Sequence, residues 1–215
     1  RGLMASSRMR SLPAMAATFA RYEGADGALV VLEDGIYDLR PDGGLTRCLD
    51  APYDRTRYRF NDGRCDPVGR LWVGTNRRPG SAAARGSASF WRLDERGLLE
   101  QFDGITIANG TAFSPDGSTM YVADYVEPAI WAFDYDVDTG AAANRRVFAE
   151  LEPGWMPDGA AVDRDGGYWI ALYGEGLILR FDRCGTLDRV LRAPVAHPTM
   201  VAFGGEGCDR LFVTS

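Results

Sequence analysis

Apolar and polar positions alternate along this chain in short runs, and no segment holds a helical period. Between Gly110 and Leu151 four β-rich runs follow one another: "GTAFSP", "TMYVADY", "AIWAFDYD" and "RRVFAEL". Turns containing Pro-Asp-Gly, Val-Glu-Pro and Asp-Thr-Gly part them, so the four runs are predicted to be antiparallel strands of one sheet. The following unit reads "GAAVDR", "YWIALY", "LILRFDR", "DRVLRAP", and the preceding one "GRCDPV", "RLWVGT", "ASFWRLD", "LLEQFD". A more divergent copy, "AATFARY", "ALVVLED", "GIYDLR", "LTRCLD", covers Ala16 to Asp50, and a fifth opens with "MVAFGG" and reaches "RLFVTS".

Registered on the aromatic of the second strand, Trp72, Tyr121, Trp169 and Phe212 stand 49, 48 and 43 residues apart. That is the repeat length of a propeller blade, and about twice that of a solenoid coil of ~20–25 residues. The expected fold is an all-β propeller with four full copies and a partial fifth, about four and a half blades. It occupies residues 16–215 as one domain, with 1–15 a tail or the remnant of a preceding strand.

Three copies share a further feature. "RFNDG", "IANG" and "MPDG" place Asn61, Asn109 and Asp158 at 11, 12 and 11 residues before the registered aromatic. The first strand of a blade lines the central channel, so these residues are expected just ahead of that strand, converging at one mouth of the channel. Asn-Gly and Asp-Gly are ordinary turn formers, but turn chemistry alone does not explain their recurrence at a matched register. Amide and carboxylate oxygens suit a hard or borderline divalent cation, Ca²⁺, Mg²⁺ or Mn²⁺, and also accept Zn²⁺.

Composition narrows the function. Of 215 residues, 46% are hydrophobic and 25% charged, the balance of a folding globular chain. The formal charge is −6, which argues against nucleic acid as a partner. Cys48, Cys65, Cys184 and Cys208 form no Cys-x-x-Cys pair and are expected as reduced, mostly buried thiols. No run is apolar enough for a signal peptide or a membrane span, so a cytoplasmic protein without a membrane partner is the default expectation. His197 is the only histidine, and no Gly-x-Ser-x-Gly elbow exists, which removes a Ser-His-Asp hydrolase. The recurring Trp72, Trp91, Trp131 and Trp169 are read as packing between blades, and His197 as a loop residue.

At the motifs "RFNDGRCDPVGRLWVGT", "ITIANGTAFSPDGSTMYVADY", "FDYDVDTGAAANRR", "PDGAAVDRDGGYWIALY" and "PTMVAFGGEGCDRLFVTS", the chain resembles the senescence-marker-protein/regucalcin/gluconolactonase family of six-bladed propellers. The resemblance implies hydrolysis of sugar-acid lactones with one divalent metal ion in the channel. Carried over by motif, it implies Asn109 and Asp158 as metal ligands, Asp158 also as the catalytic base, and Arg59 and Asn61 as substrate-binding residues. The family's third ligand, a Glu in a Gly-Glu-x-Pro-x-Trp motif, has no counterpart here. Gly174-Glu175-Gly176 and Gly205-Glu206-Gly207 lie at other places in their blades. Relative to the family the chain is expected to be truncated at both ends. The alternative reading is a catalytically impaired or non-catalytic propeller that binds calcium, a metabolite or a protein partner.

Overall fold

Aspartate-centred turns set the lengths of the strands. Asp66 Oδ1 accepts the backbone N–H of Val68 and Arg70 at 3.0 and 2.8 Å, and Asp163 Oδ1 accepts those of Asp165 and Gly167 at 3.0 and 2.8 Å. Such side-chain to backbone bonds replace the strand ladder for a few residues and reverse the chain. The computed structural model describes residues 11–215, so residues 1–10 of the expected N-terminal segment lie outside the described residues. Residues 11–15 carry no strand, and the Met15 carbonyl accepts the Glu33 N–H.

The described residues form four four-stranded sheets and one two-stranded sheet, each an antiparallel meander. Blade one contains β1 (Ala16–Arg21), β2 (Ala28–Leu32), β3 (Gly35–Leu39) and β4 (Leu45–Asp50). Blade two contains β5 (Tyr58–Cys65), β6 (Leu71–Arg77), β7 (Ala88–Asp94) and β8 (Gly97–Ile105). Blade three contains β9 (Ala108–Phe113), β10 (Thr119–Asp124), β11 (Ala129–Asp136) and β12 (Ala141–Glu150). Blade four contains β13 (Pro157–Val162), β14 (Tyr168–Leu172), β15 (Leu177–Phe181) and β16 (Leu187–Arg192). The fifth sheet pairs β17 (Met200–Gly204) with β18 (Arg210–Thr214). The first strands β1, β5, β9, β13 and β17 contact one another in sequence, as the inner strands of a propeller do.

Four of the cores lie between blades, and a smaller one lies within blade one. Val31 and Ile36 of blade one meet Phe60, Leu71 and Val73 of blade two. Trp72 and Phe90 meet Met120, Val122 and Phe133 of blade three, and Tyr121, Ala123 and Ile130 meet Tyr168, Ile170 and Leu179 of blade four. Trp72 is fully buried, so the tryptophans of the second strands are packing residues, as their recurrence indicates.

The structure corrects two expectations. The inner strands begin earlier than the sequence runs imply, so Asn61, Asn109 and Asp158 stand on strands rather than ahead of them. The cysteines are unpaired but not buried: Cys48, Cys184 and Cys208 are exposed, on an outer strand and two turns, and Cys65 is half-buried.

Candidate active site

Three inner strands depart from regular pairing at one and the same level. Asn61 and Asp62 together face Gly74, Gly110 and Thr111 face Val122, and Asp158 and Gly159 face Ala171, where the flanking registers shift. Each is a bulge with one extra residue on the inner strand, which bends the strand and re-aims its side chains. The glycine in the middle copy is dictated by space and by backbone. Gly110 has φ 64°, and a Cβ there would stand 2.4 Å from the Tyr168 hydroxyl and 2.9 Å from Ala123 Cβ.

Residues at and beside the bulges join blade to blade. Asn61 Nδ2 donates to Asn109 Oδ1 and to the Ala108 carbonyl, each at 2.8 Å. Asn109 Nδ2 donates to the carbonyl of Pro157 at 3.1 Å, the residue before Asp158. The structure thus brings Asn61, Asn109 and the start of the Asp158 strand into one hydrogen-bonded row across blades two, three and four. Deeper in the channel, Arg64 Nε donates to the Thr111 carbonyl at 3.1 Å and its Nη2 to the Ala160 carbonyl at 2.7 Å.

Asp62 is the carboxylate that sequence reasoning missed. It is 6% exposed and accepts the Thr111 N–H at 2.9 Å. Burial raises its pKa, against the opposing pull of that N–H and of Arg64. Asp158, half-buried, is pushed up to about 7, first by burial and then by the charge of Asp62. The Gly159 N–H and Arg59 pull the other way without cancelling these effects. A carboxyl of this kind exchanges protons near neutrality, as a general base requires.

Arg59, at the start of β5, is half-buried and donates Nη1 to the Phe60 carbonyl at 3.0 Å. Burial and the neighbouring Arg78 lower its pKa, while Glu33, Tyr53 and Asp158 raise it. Across β5 and β6 it stands opposite Asn76, whose buried Oδ1 has no hydrogen-bond partner among the described residues.

The mouth has an aromatic wall. Tyr125 and Tyr173 each follow the second strand of a blade, with their N–H groups on the carbonyls of Ile107 and Met156 at 3.0 and 2.9 Å. Their rings lie 6.2 Å apart, and the ring of His197 stacks on Tyr173 at 4.8 Å. Burial, Tyr173 and Asp158 together raise the pKa of Tyr125, which places that ring within the field of Asp158. His197 lies in the loop before β17, as the sequence reading has it, with its ring against Tyr173. The signal for this wall was in the repeat, since Asn76, Tyr125 and Tyr173 each stand four residues beyond the registered aromatics Trp72, Tyr121 and Trp169.

The family model described as "SMP-30/Gluconolactonase/LRE-like region" matches residues 4–215. This chain belongs to that family. Among members of the SMP-30/gluconolactonase family, 6-deoxy-6-sulfogluconolactonase of Pseudomonas putida is 37% identical over 193 residues, 88% of this chain and 65% of the relative. L-arabinolactonase of Azospirillum brasilense is 38% identical over 209 residues, 95% of this chain and 68% of the relative. The crystal structure of the calcium-binding protein regucalcin from Agrobacterium tumefaciens superposes with a TM-score of 0.88 at 31% identity, covering 96% of this chain and 70% of that one. The chain thus spans about two thirds of the length of these relatives, 65% of the Pseudomonas lactonase. Proteins named as lactonases are among its relatives, and the all-β propeller expected from the repeat is the fold of this chain, on which the regucalcin structure superposes.

Proposed function

We propose that this chain hydrolyses sugar lactones at the mouth lined by Arg59, Asn61, Asn109 and Asp158. The observation that carries the reading is the row from Asn61 through Asn109 to Pro157, which links the inner strands of three blades at their bulges, beside a carboxyl of raised pKa.

Among the described residues, no group of three His, Cys, Asp or Glu side chains is arranged to hold a metal. The donors at the mouth nevertheless fit a hard divalent cation. Asn109 Oδ1 keeps a lone pair beyond the one given to Asn61. The desolvated carboxyl of Asp158 stands in the field of a like-charged neighbour, a crowding that a cation relieves. Asn109 and Asp158 would hold it, and when bound it would polarise the lactone carbonyl and stabilise the oxyanion.

The chain's own groups account for the remaining steps. Asp158 takes a proton from the attacking water as the new C–O bond forms, and returns it to the ring oxygen as the ring opens. Asn61 is held by two bonds and presents a fixed amide, while Arg59 offers hydrogen bonds to sugar hydroxyls. The rings of Tyr125, Tyr173 and His197 give the sugar an apolar face to lie against.

A second reading, a propeller that binds calcium or a metabolite without turnover, draws on the calcium-binding relative. Initial rates of acid release from gluconolactone and arabinonolactone, with each of Ca²⁺, Mg²⁺, Mn²⁺ and Zn²⁺, separate the two. Turnover that Asp158→Asn abolishes supports the lactonase, whereas cation binding without turnover supports the second reading.

A further inference from the structure

The mouth of the channel is electrically two-sided. The top segments of blade two, residues 51–59 and 76–87, carry six arginines, Arg55, Arg57, Arg59, Arg77, Arg78 and Arg85, against a single acid, Asp54. The corresponding segments of blades three and four, 125–128, 151–156 and 173–176, carry Glu127, Glu152 and Glu175 and no Arg or Lys. In a chain of net charge −6, such a concentration of positive charge at one side of a binding mouth is a local field with a direction.

Part of this arginine rim is architectural. Arg78 donates Nε to the Arg55 carbonyl at 2.8 Å and Nη2 to Glu33 at 2.6 Å, Arg77 donates to the Ala83 carbonyl at 3.3 Å, and Arg85 pairs with Glu127 at 2.9 Å. Arg59 is different. Its single bond goes to the carbonyl of the next residue, and no carboxylate lies within ion-pair distance among the described residues. Arg78 stands beside it but is seated on the carbonyls of Arg55 and Tyr58 and paired with Glu33, so Arg59 carries the unpaired charge of this corner. A half-buried guanidinium beside a like charge, with most of its N–H groups free, is a ready partner for an oxyanion, which it can hold by two parallel bonds.

We propose that the lactone taken by this site carries an anionic substituent, a phosphate, sulfonate or carboxylate, seated on Arg59 at the blade-two side of the mouth while the lactone ring faces Asp158. The inference rests on the lactonase reading and fixes the orientation of the substrate. The acidic blade-three and blade-four side disfavours the opposite orientation by like-charge repulsion.

The test compares initial rates for the purified chain on glucono-1,5-lactone and on the same ring bearing a 6-phosphate, a 6-sulfonate or a 6-carboxylate, at equal ionic strength. At least one anionic lactone is expected to exceed the neutral one in kcat/KM by about tenfold or more, the equivalent of one charge-assisted contact. The preferred arm identifies the oxyanion. In Arg59→Gln the anionic-to-neutral ratio is expected to fall towards one, read within the variant, while Arg59→Lys keeps part of it. A neutral lactone turned over as well as all three anionic ones overturns the proposal. Calorimetric binding of 6-phosphogluconate against gluconate gives a readout that needs no turnover. If no lactone is hydrolysed, tighter binding of the phosphorylated acid that is lost in Arg59→Gln upholds the anion seat while the lactonase reading falls. Equal binding of the two acids overturns the seat itself.

Discussion

Asp158 stands under two opposing demands, since the fold withdraws it from water beside Asp62 while the proposed chemistry needs its charge. Folding raises its pKa from the ordinary carboxylate value of 3.8 to about 7, so the folded chain binds that proton more tightly than the unfolded one. The contribution to stability is fully present below pH 3.8 and is lost as the pH rises through about 7. The loss is on the order of a few kcal/mol, less what solvent screening removes. In chelator-treated samples, Asp158→Asn is therefore expected to melt at a higher temperature than the parent at pH 8 and at the same temperature at pH 3.5. Thermal melts across that range check it. Asp62→Asn removes the like charge and is expected to lower the midpoint of this pH dependence, followed by carboxyl titration in NMR spectra. Asn61, Asn109 and Asp158 were legible in the sequence because three copies repeat them at one register. Asp62 was not, because what makes it a buried acceptor is the N–H of Thr111, which reaches it across 49 residues of chain.

Strands and turns were legible for a different reason: alternation and Asp-Gly turns are local properties of the chain. Bulges are not, because an extra residue becomes visible only against the partner strand, and so the expected inner strands began too late. The bulge also makes its glycine exacting. Gly110→Ala places a methyl against Tyr168 and Ala123 at a positive φ and is expected to destabilise by about 2–3 kcal/mol. Gly69 also has positive φ, 90°, but nothing lies within 4 Å of a Cβ there, so Gly69→Ala should cost only about 1 kcal/mol. Denaturant melts of the two variants compare backbone strain alone with strain plus collision. The cysteines show the converse limit, since spacing excluded a metal knuckle but carried no information on exposure.

Across the described residues four cores are each shared by two neighbouring blades, and a fifth lies within blade one. A chain of nearest-neighbour contacts would by itself unfold blade by blade from its ends. Arg64 breaks that rule, because its guanidinium binds the Thr111 carbonyl one blade on and the Ala160 carbonyl two blades on, 96 residues away. Blades two, three and four are thereby tied into one cooperative unit whose members gain their full stability together. Arg64→Leu is accordingly expected to broaden the urea transition and lower its apparent m-value, as blade four begins to melt ahead of the rest.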